Sequence, residues 1–324
     1  MKSIKIYLFC LLGLFFLASC EKEIVFNGQI TEPIVVVNSY ISPDSTVAVH
    51  VSESRFFLND TTTFNNISNA DVSVLVNGVL IEKMRYADNG IYTGTHKCIV
   101  GETIKLSVKV PTKNVVTCED KILTRAEFLS FDTASTLISS YYNTSPDYNN
   151  PTMYDTLYRN EQRSYKCKLK LKDNGNEKNY YRVSIVENYN YNGQFISQNV
   201  ELSDNVDPIS YSTDPTNVGT DNNPYNIFTD EIFNGKEVTI KCNFNNYYDI
   251  YNPKYSFNGG TTNFKILVTL QQISKDYYLY LKTRANSGGL SFFSEPVQIH
   301  NNIQGGLGIF GSYSNNVKII SLQH

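Results

Sequence analysis

Tryptophan is absent from the 324 residues, methionine occurs three times and histidine four times. The histidines, His50, His96, His300 and His324, lie far apart, and none belongs to an HExxH-type pair. The six cysteines contain no CxxC pair, so no zinc centre of closely spaced ligands is expected and no metal is assigned. GxSxG is missing too, which removes the nucleophile elbow of the α/β-hydrolases. There is no run of Lys and Arg, and the net charge is −3, which makes nucleic acid a poor partner. After the first twenty residues no apolar stretch is long enough to cross a bilayer as a helix.

What is present begins with a leader. Lys2 and Lys5 form a basic start, and Ile6 to Ala18 is an uninterrupted run without charge. That run has the length of a signal-peptide core, too short for a mature span. It ends in Leu17-Ala18-Ser19-Cys20, a branched residue and two small residues before cysteine, as in a bacterial lipobox. The reading is a lipoprotein signal peptide at 1–19, acylation at Cys20 and a tether at 20–32. Acyl chains contribute about 0.8 kcal/mol per buried methylene, so a multiply acylated Cys20 holds to a membrane almost permanently.

The mature chain keeps about 305 residues and a net charge of about −5, because Lys2 and Lys5 leave with the leader. Tyrosine (24) and phenylalanine (18) are abundant, and the tyrosines run with asparagine in "SYYNTSPDYNNPTMYDTLY", "NYYRVSIVENYNYNG" and "NNYYDIYNPKY". Rigid amphipathic rings beside adaptable hydrogen bonders suit a binding loop; a codon bias toward Asn, Tyr and Ile gives the same composition. Four cysteines are left for pairing: Cys98, Cys118, Cys167 and Cys242. In "YKCKLKLKD" and "VTIKCNF" the alternation turns Cys167 and Cys242 inward. That fits disulfides, with Cys98–Cys118 and Cys167–Cys242 the local pairing, and it equally fits small buried hydrophobes.

Strand patterns dominate. Seven occupy 33–42, 46–53, 70–76, 79–84, 90–95, 102–110 and 114–123, and Asn77-Gly78 marks a hairpin between two of them. This rhythm predicts an immunoglobulin- or transthyretin-like β-sandwich over 33–125. Residues 139–159, rich in Ser, Tyr, Asn and Pro, read as a linker or surface loop. Strands resume at 163–172, 179–187, 195–202, 237–244, 263–273, 292–300 and 317–322, around a long acidic insertion at 203–226. One helix follows Ser274, with Tyr277/Leu281 and Tyr280/Arg284 at i, i+4, and stops at Ser287-Gly288-Gly289. The fold class is therefore mainly β, with the sandwich followed at 126–324 by a β-rich domain carrying one docked helix.

Gly306-x-Gly308-x-x-Gly311 has the spelling of a dinucleotide fingerprint. A fingerprint needs a helix after the glycines and an acid about twenty residues on. Only "SYSNNVKIISLQH" follows, turn then strand, so the glycines serve a tight bend and close packing and no cofactor is expected. Asp230-Glu231 is a compact acidic pair read as a solvated turn, the rival being a pocket rim. Asp204, Asp207, Asp214 and Asp221 match no EF-hand spacing. No catalytic residue is assigned.

Several segments together resemble a Bacteroidota lipoprotein family, domain of unknown function 4249 (DUF4249). They are "CEKEI", "VVVNSYISPDSTVAVHVSESRFFLND", "NYYRVSI", "FTDEIFNGKE", "LQQISKDYYLYLKT" and, most specifically, "EPVQIHNNIQGGLGIFGSYS". The resemblance implies an outer-membrane lipoprotein, often encoded beside a TonB-dependent transporter, and it implies no catalytic residues. Glu21-Lys22-Glu23 after Cys20 resembles a surface-export signal of such lipoproteins and equally reads as a solvated tether. The expected function is non-enzymatic binding or support of that transporter; the alternatives are a surface hydrolase with carboxylates drawn from distant segments, and an adhesive protein if the Tyr-rich loops share one face. Replacing Cys20 with Ala is expected to abolish palmitate labelling and move the protein into the detergent-free soluble fraction, read by fractionation and blotting.

Overall fold

The structure is a computed structural model that describes residues 32–55, 65–146, 149–150, 152–191, 193–200, 202, 223–251, 261–287 and 298–321. Cys20, the leader, His324 and the insertion's Asp204, Asp207, Asp214 and Asp221 lie outside the described residues, as do 292–297 of the expected strand at 292–300. Residues 298–300 of that strand have no strand pairing.

The fold is mainly β. The first part of the chain supplies β1 (Val35–Ile41), β2 (Thr46–Glu53), β3 (Asn65–Asn66), β4 (Asp71–Val76), β5 (Val79–Lys83), β6 (Arg85–Tyr86), β7 (Ile91–Lys97), β8 (Thr103–Lys109) and β9 (Val116–Lys121). They form two layers, β1-β2-β7-β6 against β5-β4-β8-β9. Alternation fixes which side chains meet: Val35, Val37, Val47, Val49 and Val51 from one layer face Val72, Val74, Ile104, Leu106 and Val108 from the other. Asn77 and Gly78 both take positive φ, as a two-residue hairpin turn between β4 and β5 requires.

The second part adds β10 (Glu127–Pro146), β11 (Tyr154–Lys172), β12 (Tyr180–Tyr191), β13 (Gln194–Asn199), β14 (Ile227–Thr229), β15 (Glu237–Tyr251), β16 (Thr261–Ile273), helix α1 (Lys275–Asn286) and β17 (Leu307–Ser321). A three-stranded sheet, β10-β11-β15, packs on β13-β12-β16-β17. Their shared core holds Leu169, Leu171, Ile240 and Phe244 against Val183, Ile185, Ile266, Val268 and Leu270. Residues 139–159, expected as a linker or loop, contribute instead to a long ribbon: β10 and β11 pair from Glu127↔Lys172 to Pro146↔Tyr154. The backbone ladder makes this strand; its side chains between 134 and 142 are exposed on both faces, so no apolar alternation marks it.

β17 belongs to both layers' systems. Leu307 to Ser312 run parallel to β1, from Val36↔Leu307 to Ile41↔Ser312, and Tyr313 to Ser321 run antiparallel to β16. At about 3.3 Å per residue its 15 residues span about 50 Å. The end where β1 begins is therefore opposite the end where β12, β11 and β15 reach Tyr191, Tyr158 and Tyr251. At the changeover Ser274 N–H donates to Ser312 O (2.9 Å), and Ser312 N–H donates to Asp120 Oδ2 (2.7 Å). Ser274 also caps α1, its hydroxyl accepting from Tyr277 N–H.

Two glycines of the fingerprint-like run, Gly308 and Gly311, sit in this strand, and Gly306 immediately precedes it. Gly308 has φ +121°, and a Cβ there would meet Val37 O at 2.0 Å; a Cβ on Gly311 would meet Tyr277 Cβ at 2.8 Å. One glycine lets β17 lie against β1 and the other lets α1 lie against β17.

The four cysteines, offered above as disulfides or as buried hydrophobes, are all free thiols and all buried. Cys167 lies directly opposite Cys242 in the β11–β15 register. Burial pushes the Cys98 thiol up to about 11 and Cys118 up to about 12, and Cys167 is raised by its contact with Cys242 and by burial. These are neutral, apolar fillers of the two cores. Gly308→Ala is expected to cost about 2 kcal/mol or more through strain and the clash with Val37 O, seen as a lower midpoint of thermal unfolding.

Candidate functional site

Parts of the three Tyr/Asn-rich stretches singled out in the sequence meet at the end of the second sandwich remote from the start of β1. They are the paired ends of β10 and β11, the last residues of β12 and the end of β15. Register places Tyr141 opposite Asn160, Asn160 opposite Asp249, and Tyr158 opposite Tyr251. Asp249 ties the two sheets: Asn160 Nδ2 from β11 donates to one oxygen (2.7 Å) and Tyr191 Oη from β12 donates to the other (3.1 Å). Asn143 Nδ2 donates to Tyr158 Oη (3.1 Å), and Gln162 Nε2 donates to Tyr247 Oη (2.9 Å). Around this scaffold Tyr154 (70% exposed), Tyr141 (69%), Phe195, Met153, Tyr247 and Tyr142 present large surfaces to solvent. Rings fixed by paired strands and rimmed by amides bind at a low entropy cost.

Behind this surface the core changes character along its length. From Leu171 and Val238 it passes the Cys167/Cys242 pair and reaches Tyr165, stacked on Phe244 at 4.8 Å. Beyond that it is polar. Tyr248 Oη donates to Tyr165 Oη, Asn246 Nδ2 donates to Glu187 Oε2 (2.8 Å), and Gln198 Nε2 reaches the same oxygen (3.3 Å). Glu161 sits between Arg159 (2.6 Å) and Arg163 (2.7 Å), and the Arg159 Nε is buried without a hydrogen-bond partner. Glu161 and Glu187 are 2% and 3% exposed. Burial raises the Glu187 carboxyl, with the two amide donors opposing the shift.

At the opposite end of the same core a second polar knot has a structural role. Tyr181 Oη donates to Asp173 Oδ1, Gly235 N–H donates to Asp173 Oδ2 (2.7 Å), and Asn179 N–H donates to Asp230 Oδ2 (2.7 Å). Gln272 Nε2 donates to Asn179 Oδ1 (2.8 Å). Asp230 is thus buried, not part of a solvated turn as expected, because it staples the 174–179 loop to the turn after β14. Its neighbour Glu231 points outward beside Lys178, so the two carboxyls do not act together. Burial and then the nearby Asp173 raise the Asp230 carboxyl.

The described histidines hold local hydrogen bonds: His50 to Asn66, His96 to Glu102 and His300 to Asp276. Among the described residues no three His, Cys, Asp or Glu side chains gather as a metal site. An open groove of about 400 Å³ lies beside the β1–β2 and β7–β8 turns of the first sandwich, lined by Pro43, Asp44, Ile99, Val100, Thr124 and Arg125. Its charged lining is the exposed Arg125–Asp44 pair at 3.0 Å.

Sequence reasoning found the Tyr/Asn stretches but not the polar core behind them. Glu187 carried a signal, since it continues the inward phase of Tyr181, Val183 and Ile185; Glu161 fell between the expected loop at 139–159 and the expected strand at 163–172. A carboxyl whose folded pKa is raised stabilises below its unfolded pKa, and that contribution is lost as pH rises through the folded value. Glu187→Gln keeps the neutral shape, so the variant is expected to gain on the wild type in thermal midpoint as pH rises from about 4 to 7.

No curated protein matches the chain. The model of a family described as Domain of unknown function (DUF4249) matches residues 21–319, from the residue after Cys20 to near the end of β17. With all but the first twenty and last five residues covered, including the glycine-rich entry to β17, the protein belongs to the DUF4249 family.

Proposed function

We propose that this chain is a lipid-anchored, non-enzymatic binding or accessory protein of the outer membrane. It works with a TonB-dependent transporter, by capturing a ligand or by supporting the complex, and makes its contact through the Tyr/Asn-rich end of the second sandwich. The observation that carries a contact surface there is the meeting of Tyr/Asn-rich strand ends at one exposed end, remote from the start of β1; the same observation favours an adhesive surface protein as the second reading. The leader ending at Cys20 supports the anchor.

A surface hydrolase would need two carboxyl groups facing an open cleft. Glu161 and Glu187 are enclosed between sheets, one in a double ion pair and the other held by amides. Their role is to hold the strands that carry the exposed rings.

The test is co-purification of the tagged, acylated protein from cross-linked native membranes, with its partners identified by mass spectrometry. A TonB-dependent transporter is the expected partner. A triple Tyr141→Ala, Tyr154→Ala, Tyr247→Ala variant with an unchanged melting curve is expected to recover at least about tenfold less of it, as loss of aromatic hot spots implies. Recovery of no transporter by the wild type, or equal recovery by the variant, contradicts the reading.

A further inference from the structure

β10 is an end strand of its sheet, and among the described residues no strand pairs with its outer edge. β17 covers only the start of it: Asn316 Nδ2 donates to Ala126 O and Lys318 Nζ to Leu129 O. From Thr133 to Ser145 the strand carries no charged residue, and Leu137, Ile138, Tyr141 and Tyr142 are exposed on it. Soluble proteins usually guard an open edge with Lys, Pro or inward charges. The other edge of this same sheet has such guards, since β15 carries Glu237 and Lys241. The contrast within one sheet marks β10 as an edge built to be covered.

The strand is also complementary to itself. Ile138 is the extra residue of a bulge, as the ladder passes from Leu137↔Arg163 to Ser139↔Gln162. Counting by partners on β11, Ser139 and Tyr141 share one face with Gln162 and Asn160. Leu137 and Tyr142 share the other with Arg163 and Arg159. A two-fold axis through Ser140, perpendicular to the sheet, then sets two copies of β10 antiparallel with every face matched. Leu137 meets Tyr142 of the second copy twice, Ser139 meets Tyr141 of the second copy, and Thr136 meets Asn143. These are aliphatic–aromatic and hydroxyl–amide pairs of the kind that stabilise antiparallel ladders. No like charges are brought together in an otherwise acidic chain.

We infer that the outer edge of β10 docks a second copy of this chain, forming a two-fold dimer with a continuous six-stranded sheet centred on Ser140. Directly opposed Cβ atoms in such a ladder lie roughly 4.5–5.5 Å apart, close to the separation a disulfide bridges. In the acylated, membrane-bound protein Ser140→Cys is therefore expected to give a covalent dimer on non-reducing gels. Ser130→Cys, at the base of the strand, is expected to remain monomeric. Adding Leu137→Lys to Ser140→Cys is expected to lower the dimer yield at least tenfold without altering the circular dichroism melt. Sedimentation of the mature wild type in mild detergent is expected to give twice the monomer's protein mass. A wild-type monomer at every concentration, equal cross-linking at positions 130 and 140, or a Ser140→Cys dimer indifferent to Leu137→Lys would each overturn the inference.

Discussion

The architecture depends on one strand being shared. β17 serves β1 through its first half and β16 through its second, so the hydrogen bonds of a single segment join two hydrophobic cores. The changeover at Ser312 is held by groups that each sandwich contributes: Asp120 from β9, Ser274 from the cap of α1, and the backbone of Ser312 itself. Satisfying these buried donors at the junction matters more than any exposed ion pair, because an unpaired buried amide costs roughly 1–3 kcal/mol. Close approach supplies the rest. Val37 and Tyr277 occupy the space that side chains at Gly308 and Gly311 would need.

The core of the second sandwich is apolar in its middle and becomes polar toward the Tyr/Asn-rich end, as it does at the Asp173–Asp230 knot at the other end. In the middle Leu169, Leu171 and Ile240 fill the gap between sheets; farther out Tyr165, Tyr248, Asn246 and the two glutamates replace them. Hydrogen-bonded polar layers fix strand positions more narrowly than interchangeable aliphatic contacts do, at a cost in desolvation. The exposed rings therefore rest on a directional network, and this is how long strands reach well past the apolar core without fraying.

Much of the first sandwich was readable from the chain because its alternation is strict: Val35, Val37, Val47, Val49 and Val51 point inward, and Asn77-Gly78 has one dominant conformation. The helix was readable from Ser274 and the i, i+4 pairs. The β10–β11 ribbon was not, since Leu137 to Tyr142 are exposed on both faces and hydrophobic period carries no information there. Asp230 misled for a related reason, as a buried staple and a solvated turn share the same composition. The parallel pairing of β1 with β17 left no local trace either, because register between remote segments is decided by packing.

That remote pairing has a consequence for biogenesis. Val36 finds Leu307 only after about 270 further residues have been made, so the sheet of the amino-terminal sandwich stays incomplete until the carboxyl terminus emerges. Contacts this distant in sequence form late and slowly. Until then the first half cannot close prematurely, and any product truncated before β17 keeps an unfinished sheet.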